Sequence, residues 1–314
     1  MGVLVILFKF LSVFVLAALI ATPTTAQMSA NPPEVGAKIR EMGAKLNRDI
    51  IIGTLKLYGP LQKKMKRDGV EVTKDQVYGP HERHRIDVYQ PSTSAGLKPI
   101  ILFLHGGGFV RGDKKGYANI GIYFARHGVL GLAANYRLAP KVKWPAGAED
   151  IGNMIEWIKA NGAKFGGDAN KIFLMGSSAG AGHLASYVFF EKHQVKNDGV
   201  AGAILVSGPT YELTIKPGKG HFAYFGKDRS NYSEMSSIRN INGRKIPLFI
   251  AYAELDMPPI QKQNLLLINA LFKRDKMLPT VKQVIGHNHI SITRHFNTKD
   301  ESLGPDLLEF IKTH

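Results

Sequence analysis

The chain has 314 residues, 44% of them hydrophobic and 21% charged, a globular balance that allows one large α/β domain or two small ones. It contains no cysteine, which excludes disulfides, thiolate catalysis and Cys-ligated zinc and leaves the redox compartment unread. The formal net charge of +16 is spread along the chain without the aromatic-basic interleaving of a nucleic-acid surface, so a solvated basic face is expected and no nucleic-acid partner.

Residues 3–20 are almost wholly apolar apart from Lys9, and small residues run to Ala26. This fits a secretory signal peptide, residues 1–26, cut before Gln27, with a retained membrane anchor as the rival. Cleavage would leave an exported protein, periplasmic or secreted, with no stable membrane association. Residues 27–75 carry helical spacing at Ile39, Met42, Leu46, Ile50 and Leu55, which predicts an N-terminal helical arm able to pack over a site entrance. Arg85-Ile86-Asp87-Val88-Tyr89 alternates and stops at Pro91, as a half-buried antiparallel strand does.

From there strand-like runs at 100–104, 130–135, 172–175, 203–206, 248–253 and 280–285 alternate with helical patterns at 118–126, 148–160, 179–190, 260–273 and 306–312. Several strands are continuous Val/Ile/Leu runs, the mark of a parallel sheet covered by helices on both faces. The expectation is an α/β class, a single domain over 27–314. Residues 208–245 break the alternation with many Gly, Tyr, Lys and Ser residues, and are expected to form an inserted lid.

The organising stretch is Gly176-Ser177-Ser178-Ala179-Gly180. It follows an apolar strand and opens a small-residue helix, which is the context that makes G-x-S-x-G a nucleophile elbow. The turn strains the central residue, so its neighbours two positions away must be almost free of side chain. Ser178, not Ser177, is therefore the candidate nucleophile.

After the run 100–104 comes His105-Gly106-Gly107-Gly108-Phe109. A glycine run at the carboxyl end of a strand lets backbone N–H groups face an anion, the oxyanion loop of lipases and esterases. The candidate donors are Gly107, Gly108 and Ala179. His105 is expected to tie the loop down rather than to act as a base.

The remaining partners must follow in the order acid, then histidine. Glu254 and Asp256 follow one strand, and His287 and His289 follow the next. Asp256 and His289 are preferred, although spacing leaves both pairs open. The other histidine is expected to be an exposed loop residue.

With HGGGF, Asn135-Tyr136-Arg137-Leu138-Ala139-Pro140, Pro145, Asp150, Trp157, Gly166-Gly167-Asp168 and GSSAG in place, the chain resembles an α/β-hydrolase of the hormone-sensitive-lipase and carboxylesterase type from about residue 85 onward. Gly182-His183-Leu184-Ala185, Tyr224-Phe225-Gly226 and Gly286-His287-Asn288-His289 lean toward the branch of BD-FAE-like feruloyl and acetyl-xylan esterases and kynurenine formamidases. In that branch the matching acid is Asp256 and the matching base is His289. Two features depart from it: HGGGF replaces a shorter glycine pair with an aromatic, and Asp256-Met257-Pro258 replaces the usual Asp-Pro.

The resemblance implies a serine hydrolase without metal or cofactor, cleaving small or short-acyl carboxylic esters, acetyl or feruloyl among them, through an acyl-enzyme. A formamide or amide hydrolase is the enzyme alternative. A non-catalytic binding protein on the same scaffold, as in the gibberellin-receptor type, is the alternative from another class.

Overall fold

Each of the six apolar runs expected as strands between residues 100 and 285 becomes one. The computed structural model describes residues 31–92, 96–215 and 219–314, so the apolar N-terminal segment and the cut expected before Gln27 lie outside the described residues. The strands are β1 (Val70–Val77), β2 (Arg85–Pro91), β3 (Lys98–Leu104), β4 (Leu130–Ala134), β5 (Gly167–Ser177), β6 (Val200–Val206), β7 (Leu248–Leu255) and β8 (Thr280–Asn288). Among the described residues they form one eight-stranded sheet in the order β1-β2-β4-β3-β5-β6-β7-β8. The β1/β2 and β2/β4 pairings are antiparallel, and every pairing from β4 to β8 is parallel.

Helices α3 (Ala118–Arg126), α4 (Ala146–Asn161), α5 (Ala179–Phe189), α8 (Pro258–Asp275) and α10 (Gly304–Thr313) cover the sheet. Side chains alternate across a strand, and in a sheet covered on both sides both sets must be apolar. Leu102, Leu104, Leu174 and Leu205 pack on one face against Met154 of α4, Leu184 of α5 and Leu267 of α8. Ile101, Phe103, Phe173 and Met175 pack on the other against Phe124 of α3 and Leu307 and Phe310 of α10. That double burial is why the strands read as unbroken hydrophobic runs.

Two expectations about the chain's margins change. The segment 27–75 holds helices α1 (Pro33–Met42) and α2 (Arg48–Lys63), but its end is strand, not helix. β1 is an edge strand with most of its side chains exposed, so it carries no apolar alternation to read. The segment 208–245 is not irregular throughout: it contains the short helices α6 (Lys219–Phe225) and α7 (Tyr232–Met235). Buried Leu213, Tyr224, Phe225 and Tyr232 pack with Phe109 beneath it, so aromatic contacts, not helical period, hold it in place.

The Asn135-Tyr136-Arg137 segment has a structural role. Asp150, fully buried on α4, accepts hydrogen bonds from Arg137 N at 2.7 Å and Arg137 Nε at 2.7 Å, and its Oδ1 lies 3.1 Å from His84 Nε2. Burial pushes this carboxyl up, but the bonds from His84 and Arg137 outweigh it and hold it below the usual carboxylate range. Asp150→Ala leaves buried donors without an acceptor and should cost about 3–5 kcal/mol in denaturant unfolding. A loss below about 1 kcal/mol, the level of an exposed ion pair, would remove Asp150 from the fold's anchors.

Candidate active site

The carboxyl ends of five neighbouring strands supply the site. β5 ends at Ser177, and Ser178 turns the chain into α5 with φ 53° and ψ −120°, a strained conformation for a residue bearing a side chain. The elbow glycines are required by contact. A Cβ on Gly176 would stand 2.5 Å from Gly180 O, and one on Gly180 would stand 2.3 Å from Leu104 O. Ser178 N donates to Val206 O at 2.9 Å, which ties the turn to β6.

His289 directly follows β8 and Asp256 directly follows β7. His289 Nε2 is 2.9 Å from Ser178 Oγ, and His289 Nδ1 is 2.6 Å from Asp256 Oδ1. The carboxylate accepts at Nδ1–H, which leaves Nε2 free to accept from the serine hydroxyl. Asp256 Oδ2 accepts from Ser207 Oγ at 2.6 Å and from Ala253 N at 2.8 Å, so its second oxygen is occupied. Sequence reasoning missed Ser207. Its only signal was a serine just past the end of β6, and that means nothing until β6 is known to lie between β5 and β7.

The two competing residues are placed elsewhere. Glu254 accepts from Gly286 N at 2.6 Å and lies 3.7 Å from Arg40 Nη2. His287 is not the exposed loop residue expected: it is fully buried, with Nδ1 3.1 Å from Ser291 Oγ and Nε2 3.4 Å from Asp300 Oδ2.

The glycine loop lies against the serine, since a Cβ on Gly106 would stand 3.1 Å from Ser178 Cβ. Gly107 (φ 139°) and Gly108 (φ 60°) both adopt conformations that favour glycine, and a Cβ on Gly107 would meet Arg111 O at 1.8 Å. Ala179 is the first residue of α5, where an N–H has no intrahelical acceptor. His105 is buried, stacks on Tyr136 with centroids 4.4 Å apart and has Nδ1 2.7 Å from Gly106 O. Burial pushes it down to about 4, so at neutral pH it is an uncharged brace under the loop. Tyr136 Oη donates to His105 O at 2.7 Å from the same side. Phe109 stacks face to face on Tyr224 at 4.9 Å, and His183, pushed down to about 3 by burial, meets both rings edge-on.

Ser178, Gly107, Gly108 and His289 open into a cleft of about 850 Å³. The arm contributes Leu46, Ile51 and Leu55 to its wall, and the insertion contributes Pro209, Leu213, Ile215 and His221. Met257, Pro258 and Ile260 close the side next to the acid. Among the described residues no group of three or more His, Asp or Glu has the geometry to hold a metal ion.

Residues 86–216 match the BD-FAE family model, a stretch that includes the glycine loop and Ser178 but neither Asp256 nor His289. A solved structure of esterase B from Lactobacillus rhamnosis superposes with a TM-score of 0.69 over 89% of this chain and 94% of that one, at 19% identity. The chain has the α/β-hydrolase fold. A probable isoprenylcysteine alpha-carbonyl methylesterase of Arabidopsis thaliana is 38% identical over 122 residues, 39% of this chain and 29% of that protein. The versiconal hemiacetal acetate esterase of Dothistroma septosporum is 29% identical over 192 residues, 60% of this chain and 56% of that protein. The chain thus spans less than two thirds of the length of these relatives.

A fluorophosphonate probe, which reacts with activated serines, should label Ser178 and leave Ser177 unmodified by peptide mass spectrometry. Ser207→Ala should slow that labelling by roughly tenfold, as expected for loss of one hydrogen bond to a charged group. Labelling at Ser177, or at neither serine, would contradict the geometry.

Proposed function

We propose that the protein is a serine carboxylic-ester hydrolase that works through an acyl-enzyme. The observation that carries this reading is the chain of short contacts Ser178–His289–Asp256 beside a glycine loop, all at one end of the sheet. Ser178 Oγ attacks the ester carbonyl carbon while His289 Nε2 takes its proton. Asp256 holds the imidazole in the needed tautomer and stabilises the imidazolium. The oxyanion receives the N–H groups of Gly107, Gly108 and Ala179, each such donor being worth about 3–4 kcal/mol in the transition state. The C–O bond breaks and His289 returns the proton to the leaving alcohol. Water, deprotonated by the same nitrogen, then attacks the acyl carbon, and the carboxylic acid leaves as Ser178 regains its proton.

The cleft walls guide the substrate class. Leu46, Ile51, Leu55, Leu213 and Ile215 favour an apolar or aromatic acyl or alcohol group, which suits small and short-acyl esters, feruloyl and acetyl esters included. The esters implied by the names of the methylesterase and hemiacetal acetate esterase relatives fall in the same chemical range. The apolar residues before Ala26 add a proposal of export, with the mature chain beginning at Gln27.

Ser178→Ala and His289→Ala should each lower hydrolysis of p-nitrophenyl esters by at least about a thousandfold, as triad members do. Activity above about one per cent in the folded Ser178→Ala variant would sink the mechanism. Leu213→Trp, which narrows the cleft, should lower the ratio of hexanoyl to acetyl ester turnover by about tenfold. An unchanged ratio would take that wall out of the acyl pocket. Including N-formylkynurenine and feruloyl esters in the panel separates the amide alternative from the ester reading. N-terminal sequencing of protein recovered from periplasm or medium checks the start at Gln27; a full-length chain confined to membranes means an anchor.

A further inference from the structure

The loop that carries His289 is gripped from one side by the N-terminal arm, through polar groups that the mechanism does not use. Asn288, next to His289, closes the turn by accepting from Ile290 N at 3.0 Å and Ser291 N at 3.0 Å. Its amide nitrogen reaches the arm, where Nδ2 donates to Thr54 Oγ1 of α2 at 2.9 Å. The fully buried His287, just before Asn288, lies with Nδ1 3.1 Å from Ser291 Oγ and Nε2 3.4 Å from Asp300 Oδ2. Tyr58 Oη, one turn along α2 from Thr54, lies 3.1 Å from Asp300 Oδ2 and 3.2 Å from Asn31 Oδ1. Asn31 in turn donates to Gly286 O at 3.1 Å. Farther along the same helix, Gln62 Nε2 donates to Arg294 O at 3.0 Å.

Thr54, Tyr58, Asn31, His287, Asn288 and Asp300 are all buried, so these bonds are not in competition with water. Burial pushes the Asp300 carboxyl up, but its contact with His287 outweighs that and holds it well below the usual carboxylate range. A buried carboxylate of this kind fixes its donors firmly.

We propose that the N-terminal arm is a positioning element for the base: Thr54 and Tyr58 set the place of His289 through Asn288 and through the Asp300–His287 pair. This goes beyond a wall for the cleft, and it rests on the hydrolase reading of His289. The base must meet Ser178 Oγ at 2.9 Å and Asp256 Oδ1 at 2.6 Å at once, and a displacement of about 1 Å is enough to cost up to a hundredfold in rate. Asn288, the residue before His289, donates one of its bonds to a residue 234 positions away.

Thr54→Val keeps the shape of the side chain and removes the acceptor; Tyr58→Phe removes one oxygen. In the full chain each should lower kcat for a small p-nitrophenyl ester by about tenfold with KM changed by less than about twofold, the split expected when transition-state geometry and not binding is lost. Thr54→Ser, which retains Oγ, should restore most of the rate. One-dimensional proton NMR supplies a readout independent of turnover: the downfield resonance of the His289–Asp256 proton should shift or broaden in Thr54→Val and return in Thr54→Ser. Should Thr54→Val fail to fold, Tyr58→Phe carries the same comparison. An unmoved resonance, an unchanged kcat, or a rise confined to KM would overturn the proposal and leave the arm as a cleft wall. A wild-type chain that shows the resonance yet hydrolyses no ester would instead count against the hydrolase reading alone.

Discussion

The tight turn at Ser178 is the constraint on which the site depends. A serine at φ 53° costs roughly 1–3 kcal/mol of backbone strain, and it persists only because the surroundings leave no alternative. Gly176 packs on Gly180, Gly180 packs on the carbonyls at the end of β3, and Ser178 N is held by Val206 of β6. The turn therefore locks three adjacent strands in register at their carboxyl ends. It also brings the serine against the glycine loop that leaves β3. Asp256 and His289 then need only to emerge from β7 and β8, further along the same edge, to line up with it.

Burial sorts the histidines. His105, His183 and His295 are all pushed down by loss of solvent, to about 4, about 3 and about 3, and serve as neutral packing groups. His287 has a serine and an aspartate within reach, the same residue types that flank His289. The difference is position. His287 and its partners are sealed beneath the loop, whereas His289 lines the cleft with Ser178. Only the second set opens to the cleft.

The walls of the cleft come from the least regular parts of the chain. The arm before the sheet and the insertion after β6 both lie over the carboxyl edge, where ligands collect in open α/β sheets. The insertion is fastened to the oxyanion loop through Phe109 and Tyr224, and the arm is fastened to the base loop through Thr54 and Tyr58. Each wall thus touches one half of the proposed catalytic arrangement.

By itself the sequence determined the α/β architecture, because continuous apolar strands alternating with helices admit few other arrangements, and six of the eight strands were legible as parallel runs. The tight turn at Ser178 and the glycine loop beside it were legible too, since their backbone demands are written in local glycines. β1 was not legible, since an exposed edge strand buries too little to leave a pattern. The choice of Asp256 over Glu254 and of His289 over His287 belonged to the tertiary structure: members of each pair are two residues apart at the carboxyl end of one strand, and only the placement of β7 and β8 relative to β5 decides which lies near Ser178. Ser207 and the grip of the arm were decided there as well. Their partners lie 49 and more than 200 residues away, and no local period records a contact of that range.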